Sequence, residues 1–506
     1  MVSSNCYFCN KEEGIKQCTD CTIFSCTHHL SYHSRGGTCG AWCVKTVPGA
    51  GRGLFANRNI QAGDVVVQDW AIVEGPLPGL NQVCLVCLRD DDCNLCVECR
   101  LPVCKSRTRG CPSRHKAECK ILKDGSEQNL SKDCLYTSIA SIRLMWGAER
   151  DPTIRELLDP LMDHREIHDQ GINSGWDDVV NFLSKHGFDR ENIVRTMGLL
   201  QTNGVTSSSV GGEGRGHSLY PIFSIVNNSC VSNTRHGRKD DSFCLIATVD
   251  INMGDEITTN YKSPTLGNIA RQPAFKSLWN FQCTCARCID PTELGTYSSS
   301  LLCPDCTSPI IQESTDLELD WCCSNSKCAK PFSFQFISEK TSKLNSLVQT
   351  TGHGVEKLEN LVEILSRVVY KHHCLLMQVK RMLLLQYGNC ASHRWETLTS
   401  KDIKRYISCG FNGLVLFQRT VAFDHNLTWK IELCREYIEV YTILEPGLTK
   451  WKGRVCEELA RALVHQDKVA GVEVCRLIGE AGKCRQLDSQ EERAAFNMRV
   501  AHLMSQ

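Results

Sequence analysis

Eight cysteine and histidine residues between positions 84 and 119 have the types and spacing of metal ligands. They are Cys84, Cys87, Cys96, Cys99, Cys104, Cys111, His115 and Cys119. Zn²⁺ takes four such ligands in a tetrahedron, and a Cys-x2-Cys turn presents two thiolates to one ion. Because the pairs alternate along a short segment, we expect two interleaved sites. One set is Cys84, Cys87, Cys104 and Cys111, and the other is Cys96, Cys99, His115 and Cys119.

A weaker copy of this pattern opens the chain. Its candidate ligands are Cys6, Cys9, Cys18, Cys21, Cys26, His29, His33 and Cys39. The order of the pairs is the same, and His28 or Cys43 could replace one of these ligands. We interpret residues 1–40 as a second, divergent zinc finger.

Two further clusters lie beyond residue 280. Cys283, Cys285 and Cys288 supply three ligands and need a fourth from elsewhere in the chain. A separate ribbon-like set consists of Cys303, Cys306, Cys323 and Cys328, in which Cys322 competes with Cys323. Together, the clusters predict about five or six zinc ions.

The composition is that of a globular chain with several domains. The 506 residues are 42% hydrophobic and 23% charged, and 57 basic residues balance 57 acidic ones. This balance gives no overall electrostatic reason to expect binding to nucleic acid or to a membrane surface. The first residues, Met-Val-Ser-Ser-Asn-Cys, do not resemble a secretion signal, and no apolar run approaches the ~20 residues of a membrane span. We therefore expect a protein of the cytoplasm and/or nucleus, where thiols stay reduced and clustered cysteines favour metal binding.

A glycine-rich run at residues 48–56 reads Pro-Gly-Ala-Gly-Arg-Gly-Leu-Phe-Ala. Its glycines allow positive φ angles and close approach of the backbone to a ligand. A dinucleotide-binding loop fits poorly, because the Val-rich segment at 65–67 indicates that a strand follows rather than a helix. Taken alone, the run predicts only a β-hairpin turn.

Three later motifs follow the glycine run in order. They are Asn-Asn-Ser-Cys-Val-Ser-Asn at 227–233, Gly-Asp-Glu-Ile-Thr-Thr-Asn-Tyr at 254–261 and Cys-Thr-Cys-Ala-Arg-Cys at 283–288. In this order the motifs resemble those of SET-domain lysine methyltransferases with a post-SET zinc segment. The segment 84–119 resembles a MYND finger, so the chain as a whole is similar to the SET-and-MYND family. The run from 264 to 296 is most similar to the arthropod branch of that family.

The resemblance implies an α+β fold, in which a β-rich SET fold is split by a MYND-type zinc finger. A zinc-bound post-SET segment and a C-terminal all-α, TPR-like domain would follow. The implied domains are a divergent MYND-like finger (1–40), the N-terminal part of the SET domain (41–83), the MYND finger (84–119), a helical SET insertion (120–200), the C-terminal SET core (201–262), the post-SET region (263–335) and the helical domain (340–506). The resemblance also implies that Cys230 completes the zinc site of Cys283, Cys285 and Cys288.

The activity implied by the resemblance is protein-lysine N-methylation, with S-adenosylmethionine as the methyl donor and a histone or non-histone protein as the substrate. The implied cofactor contacts are Ala50, Gly51, Arg52, Asn203, Asn227, Asn228 and Phe281, and the implied catalytic residue is Tyr261. The implied ligand of the MYND finger is a Pro-rich or linear peptide. Neither a membrane nor a sequence-specific nucleic acid is expected as a partner.

Two features depart from the family pattern: Cys111 stands seven residues after Cys104, further than is usual in the finger, and one residue of the Asn-x-Ser-Cys motif differs. The usual motif is Asn-His-Ser-Cys, whereas this chain has Asn228 in place of the histidine. Asparagine keeps a hydrogen-bond donor and an acceptor but cannot titrate. An alternative therefore stays open: a catalytically weak SET scaffold that acts as a transcriptional or signalling adaptor through peptide binding.

Overall fold

The structure is a computed structural model. It describes residues 16–18, 24–25, 40–79, 83–89, 93–105, 110–165, 176–208, 214–239, 242–314, 316, 318–390, 393–394, 425–467, 471–485 and 490–504. Of the ligands expected in the N-terminal finger, Cys18 lies within these ranges. The others, Cys6, Cys9, Cys21, Cys26, His29, His33 and Cys39, lie outside the described residues.

The strands of the described residues are short and all pair antiparallel. They are β1 Lys16–Gln17, β2 Phe24–Ser25, β3 Trp42–Val47, β4 Gly51–Ala56, β5 Val65–Asp69, β6 Val73–Pro76, β7 Cys93–Leu95, β8 Pro102–Cys104, β9 Gly204–Ser208, β10 Gly214–Leu219, β11 Thr234–Lys239, β12 Ser242–Ala247, β13 Glu256–Ile257, β14 Ile310–Ile311, β15 Trp321–Cys323, β16 Pro331–Phe332, β17 Asn389–Cys390 and β18 His393–Arg394.

The helices fall into two main groups, one before residue 204 and one after residue 333. They are α1 Cys111–Glu127, α2 Lys132–Arg150, α3 Pro152–Leu158, α4 Trp176–Lys185, α5 Arg190–Asn203, α6 Asn268–Trp279, α7 Ala286–Ile289, α8 Phe334–Thr350, α9 Val355–Ser366, α10 Cys374–Gln386, α11 His425–Leu444, α12 Lys450–Asp467, α13 Val472–Cys484 and α14 Gln490–Met504. A short 3₁₀ helix spans Phe223–Ile225.

Three of the four three-stranded sheets in the described residues form the β-rich part of the chain, between residues 42 and 257. Their strand orders are β13-β4-β3, β11-β12-β5 and β6-β10-β9. The first two contribute Leu54, Val66 and Leu245 to one buried apolar core, which also contains Tyr220. Pairing of Glu256 with Phe55 brings the end of the Gly-Asp-Glu motif to the strand that starts at the glycine-rich turn. Two segments that are distant in sequence therefore meet at one edge of a sheet.

The helices before residue 204 pack on the third sheet and on the zinc-finger segment. Helix α1 starts at Cys111, within the expected finger, and continues past the expected boundary at residue 119. Apolar residues of α2, α4 and α5 share a buried core with the finger segment, including Leu135, Phe182 and Ile193. The finger segment thus depends on this helical core as well as on its own ligands.

The C-terminal helices form the largest apolar core of the described residues, as the helical period of the sequence predicts. This core also takes in the ribbon-like segment, through residues such as Cys303 and Trp321. Two hydrogen bonds join the helices to the β-rich part, from Leu448 N to Thr248 O (2.8 Å) and from Arg235 Nη2 to Cys484 O (3.2 Å). Among the described residues, we find no helix long and apolar enough to cross a membrane.

We predict that Gly75→Ala lowers the free energy of unfolding, because it crowds the contact between strand β6 and helix α2. A Cβ atom at residue 75 would lie 2.7 Å from the Cβ of Ala140 and 3.2 Å from its backbone. Overpacking of this kind costs about 1–3 kcal/mol, and it should lower the urea midpoint followed by circular dichroism. Gly479→Ala is the matched control, since a Cβ in α13 meets no atom within 4 Å and should stabilise the helix by up to about 1 kcal/mol. Equal effects of the two changes would contradict the close packing of β6 on α2.

Candidate functional site

Four groups of potential metal ligands converge in the structure. They are Cys84, Cys87, Cys104 and Cys111; Cys96, Cys99, His115 and Cys119; Cys230, Cys283, Cys285 and Cys288; and Cys303, Cys306, Cys323 and Cys328. Within each group the ligand atoms lie within 4.8 Å of one another. Each group has the same members as the set expected from the sequence, while Cys93 and Cys322 belong to none of them.

The sulfur spacing in these groups fits a tetrahedral zinc ion. Sulfur atoms bonded to one Zn²⁺ at ~2.3 Å lie about 3.8 Å apart, whereas the two sulfurs of a disulfide are separated by only ~2.05 Å. The distance is 3.8 Å between Cys87 and Cys104 and 3.5 Å between Cys230 and Cys288. No disulfide is found among the cysteines whose side chains the structure describes. The donor sets therefore suit a thiophilic metal.

His115 has the polar partner that a metal-binding histidine usually has. Its Nε2 atom lies 3.2 Å from Cys99 Sγ, and its Nδ1 atom lies 3.5 Å from Glu118 Oε1. Arg143 Nε donates to the same carboxylate at 2.9 Å and Arg143 Nη1 to the carbonyl of Glu74 at 2.8 Å. Burial would raise the pKa of Glu118, but His115 and Arg143 lower it, so the carboxylate stays ionised. Such partners orient a ligating imidazole, and Arg143 ties this one to strand β6.

The group of Cys230, Cys283, Cys285 and Cys288, hereafter the Cys230 cluster, lies beside two fully buried arginines. Arg271 Nη2 is 3.5 Å from Cys288 Sγ, and both Arg271 and Arg287 contact Glu293 at 3.0 Å. Glu293 is itself buried, and the two guanidinium groups hold the pKa of its carboxyl below the ordinary value against the opposing effect of burial.

These buried charges provide a test of whether a metal fits the Cys230 cluster. Arg271, Arg287 and Glu293 together carry a net charge of +1, and an unbalanced buried charge is costly. Four thiolates around Zn²⁺ carry a net charge of −2, which more than offsets this positive charge. Four protonated thiols carry no charge and would leave it uncompensated. The surroundings of the cluster therefore fit four ionised thiolates on a divalent metal.

The glycine-rich turn contacts the Asn-Asn-Ser-Cys motif. Gly49 and Gly51 have φ angles of +77° and +75°, which glycine adopts without strain. At Gly53 a Cβ atom would lie 2.6 Å from Glu256 Oε1 and 2.8 Å from Asn227 Nδ2. Asn227 donates to that carboxylate at 2.8 Å. A side chain at position 53 would have to displace the Asn227 amide and the Glu256 carboxylate, so glycine leaves room for their hydrogen bond beside the strand.

Two expected cofactor contacts meet at the loop 160–162. Arg52 Nη2 donates to Pro160 O at 2.9 Å, and Asn203 Nδ2 donates to Met162 O at 2.8 Å. Asn203 is the last residue of α5, where its amide also bonds Leu199 O at 3.0 Å. Ala50 and Gly51 lie in the exposed turn immediately before Arg52. The loop therefore links Asn203 to the glycine-rich turn.

Tyr261 lies next to the Asn-Asn-Ser-Cys motif at residues 227–230. Its hydroxyl donates to Val226 O at 2.8 Å, and its ring packs on Trp279 (5.1 Å between centroids) and edge-on to Phe281 (6.3 Å). Burial, with a smaller contribution from the charge of Glu256, raises the pKa of the Tyr261 phenol. The phenol is therefore neutral and acts as a hydrogen-bonding group, not as an anion.

Asn228 makes two hydrogen bonds within the protein. Its Nδ2 atom donates to Cys283 Sγ at 3.3 Å, and its Oδ1 atom accepts from Tyr261 N at 2.9 Å. The side chain expected at the cofactor thus contacts the Cys230 cluster and the candidate catalytic residue.

Several residues of the site cannot be recognised from the sequence patterns. They are Glu118, Arg143, Glu256, Arg271, Arg287 and Glu293. Glu256 belongs to a motif that was recognised, but its role depends on contact with Gly53, which strand pairing creates. The others are single charged residues, and nothing in their sequence context distinguishes them from a solvent-exposed face. The one signal in the sequence concerns Arg287, which lies inside the Cys-x-Cys-x2-Cys pattern and is therefore close to metal ligands.

Comparison with known proteins defines the class to which this site belongs. Residues 51–262 match the SET domain family, a range that begins in the glycine-rich turn and ends one residue after Tyr261. The chain is 30% identical over 301 residues to the SET domain-containing protein SmydA-8, isoform A, of Drosophila melanogaster. That match covers 56% of this chain and 64% of the fly protein. Residues 51–262 are thus similar to a SET domain. The similarity to SmydA-8 agrees with the resemblance to the SET-and-MYND family that the sequence motifs indicate.

Two other matches are weaker. The histone-lysine N-methyltransferase ASHR1 of Arabidopsis thaliana is 23% identical over 305 residues, which cover 56% of this chain and 59% of that protein. A solved structure, the SET domain of LSMT bound to lysine and AdoHcy, aligns over 92% of this chain and 88% of that chain. Its TM-score is 0.31 at 10% identity, which is too low to support any statement about the site.

We predict that Cys230→Ser removes about one zinc ion per chain, because a hydroxyl is a poor replacement for a thiolate on Zn²⁺. Cys244→Ser is the control. Cys244 is equally buried in strand β12 but belongs to none of the four groups, so its loss should leave the zinc content unchanged. The measurement is elemental analysis of folded, reduced protein. Full zinc content in Cys230→Ser would show that Cys230 is not a ligand.

Proposed function

We propose that this chain is an S-adenosylmethionine-dependent protein-lysine N-methyltransferase, with Tyr261 at the point of methyl transfer. Support comes from the match to the SET domain family and from the similarity to ASHR1, named as a histone-lysine N-methyltransferase. The observation that carries the proposal is the grouping of Gly53, Asn227 and Glu256 at the strand edge, with Tyr261 bonded through Val226 and Asn228.

The residues proposed to hold the cofactor are Ala50, Gly51, Arg52, Asn203, Asn227 and Phe281. When bound, S-adenosylmethionine supplies a methyl group on a positively charged sulfur. The turn suits a ligand because Gly51 is exposed and no atom lies within 4 Å of the place its Cβ would take. Phe281 adds a half-buried aromatic ring that stacks on Phe275 at 5.2 Å. The surroundings thus combine accessible backbone, amide groups and an aromatic surface.

The proposed role of Tyr261 follows from its hydrogen bond. Because the phenol is neutral and donates to Val226 O, its oxygen keeps lone pairs that can accept an N–H of the substrate amine. The amine must be neutral to attack the methyl carbon. As the new C–N bond forms, the bond between the methyl carbon and the donor sulfur would break and leave a neutral thioether, and the amine would become positively charged. A fixed phenol oxygen orients the amine and stabilises this developing charge. The extra proton of the methylated amine then passes to water.

We predict that Tyr261→Phe lowers kcat by about 10²–10³, since loss of one group that acts on the transition state typically has this effect. Folding should be unchanged, because the ring still packs on Trp279. The measurement is transfer of a labelled methyl group to a mixture of protein substrates, together with calorimetry of S-adenosylmethionine binding. Tyr437→Phe is the control, since this buried tyrosine stacks on Tyr441 in α11 and should leave the rate unchanged. Activity that survives intact in Tyr261→Phe would refute the assignment.

A second candidate function is an adaptor that binds a Pro-rich or linear peptide through the finger segment. It is favoured by two apolar side chains that the finger exposes, Val97 (81% exposed) and Leu95 (51%). Val97 lies in the turn between Cys96 and Cys99, so the metal would hold it in place. An exposed apolar surface on a small zinc module is typical of a binding site.

We predict that Val97→Asp weakens binding of a Pro-rich peptide while the zinc content and the methyl-transfer rate stay at the wild-type level. Cys96→Ser should weaken the same binding and also lower the zinc content, because it removes a ligand. Fluorescence anisotropy of a labelled peptide measures the affinity. Peptide binding that persists in both variants would exclude the finger as the adaptor surface.

A further inference from the structure

We infer that Asn228 is a positioning residue that couples the Cys230 cluster to the backbone of Tyr261. One end of its amide donates to Cys283 Sγ, and the other accepts the N–H of Tyr261. This role differs from the cofactor contact expected from the sequence. The coupling itself is independent of the proposed methyl transfer, and only its effect on kcat depends on that proposed function.

The backbone around Asn228 explains why its side chain is needed. Thr259 N donates to Asn227 O, and Ser229 N donates to Thr259 O, both at 3.0 Å. These two bonds form a short parallel bridge between residues 228 and 259. The backbone hydrogen bonds that join these two described segments stop at Thr259, two residues before the candidate catalytic residue. The Asn228 carboxamide extends the connection to Tyr261 by accepting its N–H.

The sulfur at the other end of the Asn228 amide is also held firmly. Gln272 fixes the backbone of Cys283 on both sides, with Cys283 N donating to Gln272 Oε1 (3.0 Å) and Gln272 Nε2 donating to Cys283 O (2.7 Å). An N–H donor stabilises the negative charge of a metal-bound thiolate and orients it. Because both partners of Asn228 have restricted positions, a change at the sulfur is transmitted to the N–H of Tyr261.

A physical consequence is that metal occupancy controls the order of the backbone at Tyr261. A zinc-bound thiolate is a strong acceptor for the Asn228 amide, whereas a protonated thiol is a weak one. Loss of the metal therefore releases one end of the amide and weakens the bond to Tyr261 N. Asparagine can serve this role because it provides one donor and one acceptor on a single rigid group.

Asn228→Asp tests the contact with sulfur. Aspartate has the same shape and keeps an acceptor for Tyr261 N, but it replaces the donor with an anionic oxygen next to the thiolate. We expect zinc to leave this cluster to a chelator at least about tenfold faster, in line with the usual effect of losing such a partner. Zinc release from the Cys230 cluster is identified as the kinetic phase that is absent in Cys285→Ser, because this variant lacks one ligand of the cluster. Exchange of the Tyr261 amide hydrogen should stay slow while zinc is bound.

Asn233→Asp is the matched control for this substitution. Asn233 lies in the same motif, and its amide donates to Glu256 O (2.8 Å) and accepts from Thr258 N (2.9 Å) and Thr258 Oγ1 (3.4 Å). Among the described residues, none of its hydrogen-bond partners is a sulfur atom. A change at Asn233 loosens the motif without affecting the thiolate, so zinc release from the cluster should stay within about twofold of wild type.

Asn228→Leu tests the contact with Tyr261, since leucine keeps the size and removes both polar groups. Hydrogen exchange followed by mass spectrometry over residues 259–262 should show faster exchange in this variant by tenfold or more. Wild-type protein stripped of zinc should show the same local change. With the proposed activity, kcat should fall while S-adenosylmethionine affinity changes little, because Tyr261 acts on the amine.

Two results would overturn the inference. Equal zinc release from Asn228→Asp and Asn233→Asp would show that the contact with Cys283 has no specific effect. Unchanged exchange at Tyr261 in zinc-free wild type would show that the cluster does not order this backbone, even if Asn228→Leu fails to fold. Neither measurement uses methyl transfer. An inactive protein would contradict the proposed function, whereas zinc release and hydrogen exchange would still decide whether the coupling exists.

Discussion

The candidate site depends on one cross-link, the contact of Cys230 with Cys283, Cys285 and Cys288. Cys230 and Cys283 are 53 residues apart in sequence, and their sulfur atoms are 4.0 Å apart in the structure. This contact sets Trp279, the last residue of α6, and Phe281 against Tyr261. Without a metal, the four thiols would provide little attraction between the two segments. We propose that the metal supplies much of the free energy that closes this part of the site.

Buried charge around the Cys230 cluster makes this dependence stronger. Arg271 and Arg287 are fully buried and share one carboxylate, Glu293, so the thiolates must complete the balance. Glu293 also accepts from Asn268 N, which fixes the start of α6. Removal of the negative charge on sulfur would leave a buried cation without a counterion, a situation that is strongly destabilising. Ligands, arginines and helix therefore form one cooperative unit.

The finger segment uses the same principle with different residues. Glu118 lies between His115 and Arg143, and Arg143 continues to the carbonyl of Glu74 in β6. A ligand of one metal set is thereby connected to a sheet that also contains β10. In both places the residue next to the ligand joins a small cysteine-rich segment to the larger core. This arrangement explains how segments with few apolar residues of their own can keep a defined position.

The sequence by itself determined the members of the local ligand sets, because a Cys-x2-Cys turn brings two sulfurs together whatever surrounds it. It also indicated the hairpin at the glycine-rich run and the C-terminal helices, since turn residues and apolar periods act over short distances. Only the tertiary structure decided the partners of Asn228, the contact of Gly53 with Glu256, and the balance of charge at Arg271. These contacts join residues far apart in the chain, and a single polar residue has no pattern that reveals its partner. Burial gives such residues their energetic importance, and burial is a property of the folded chain.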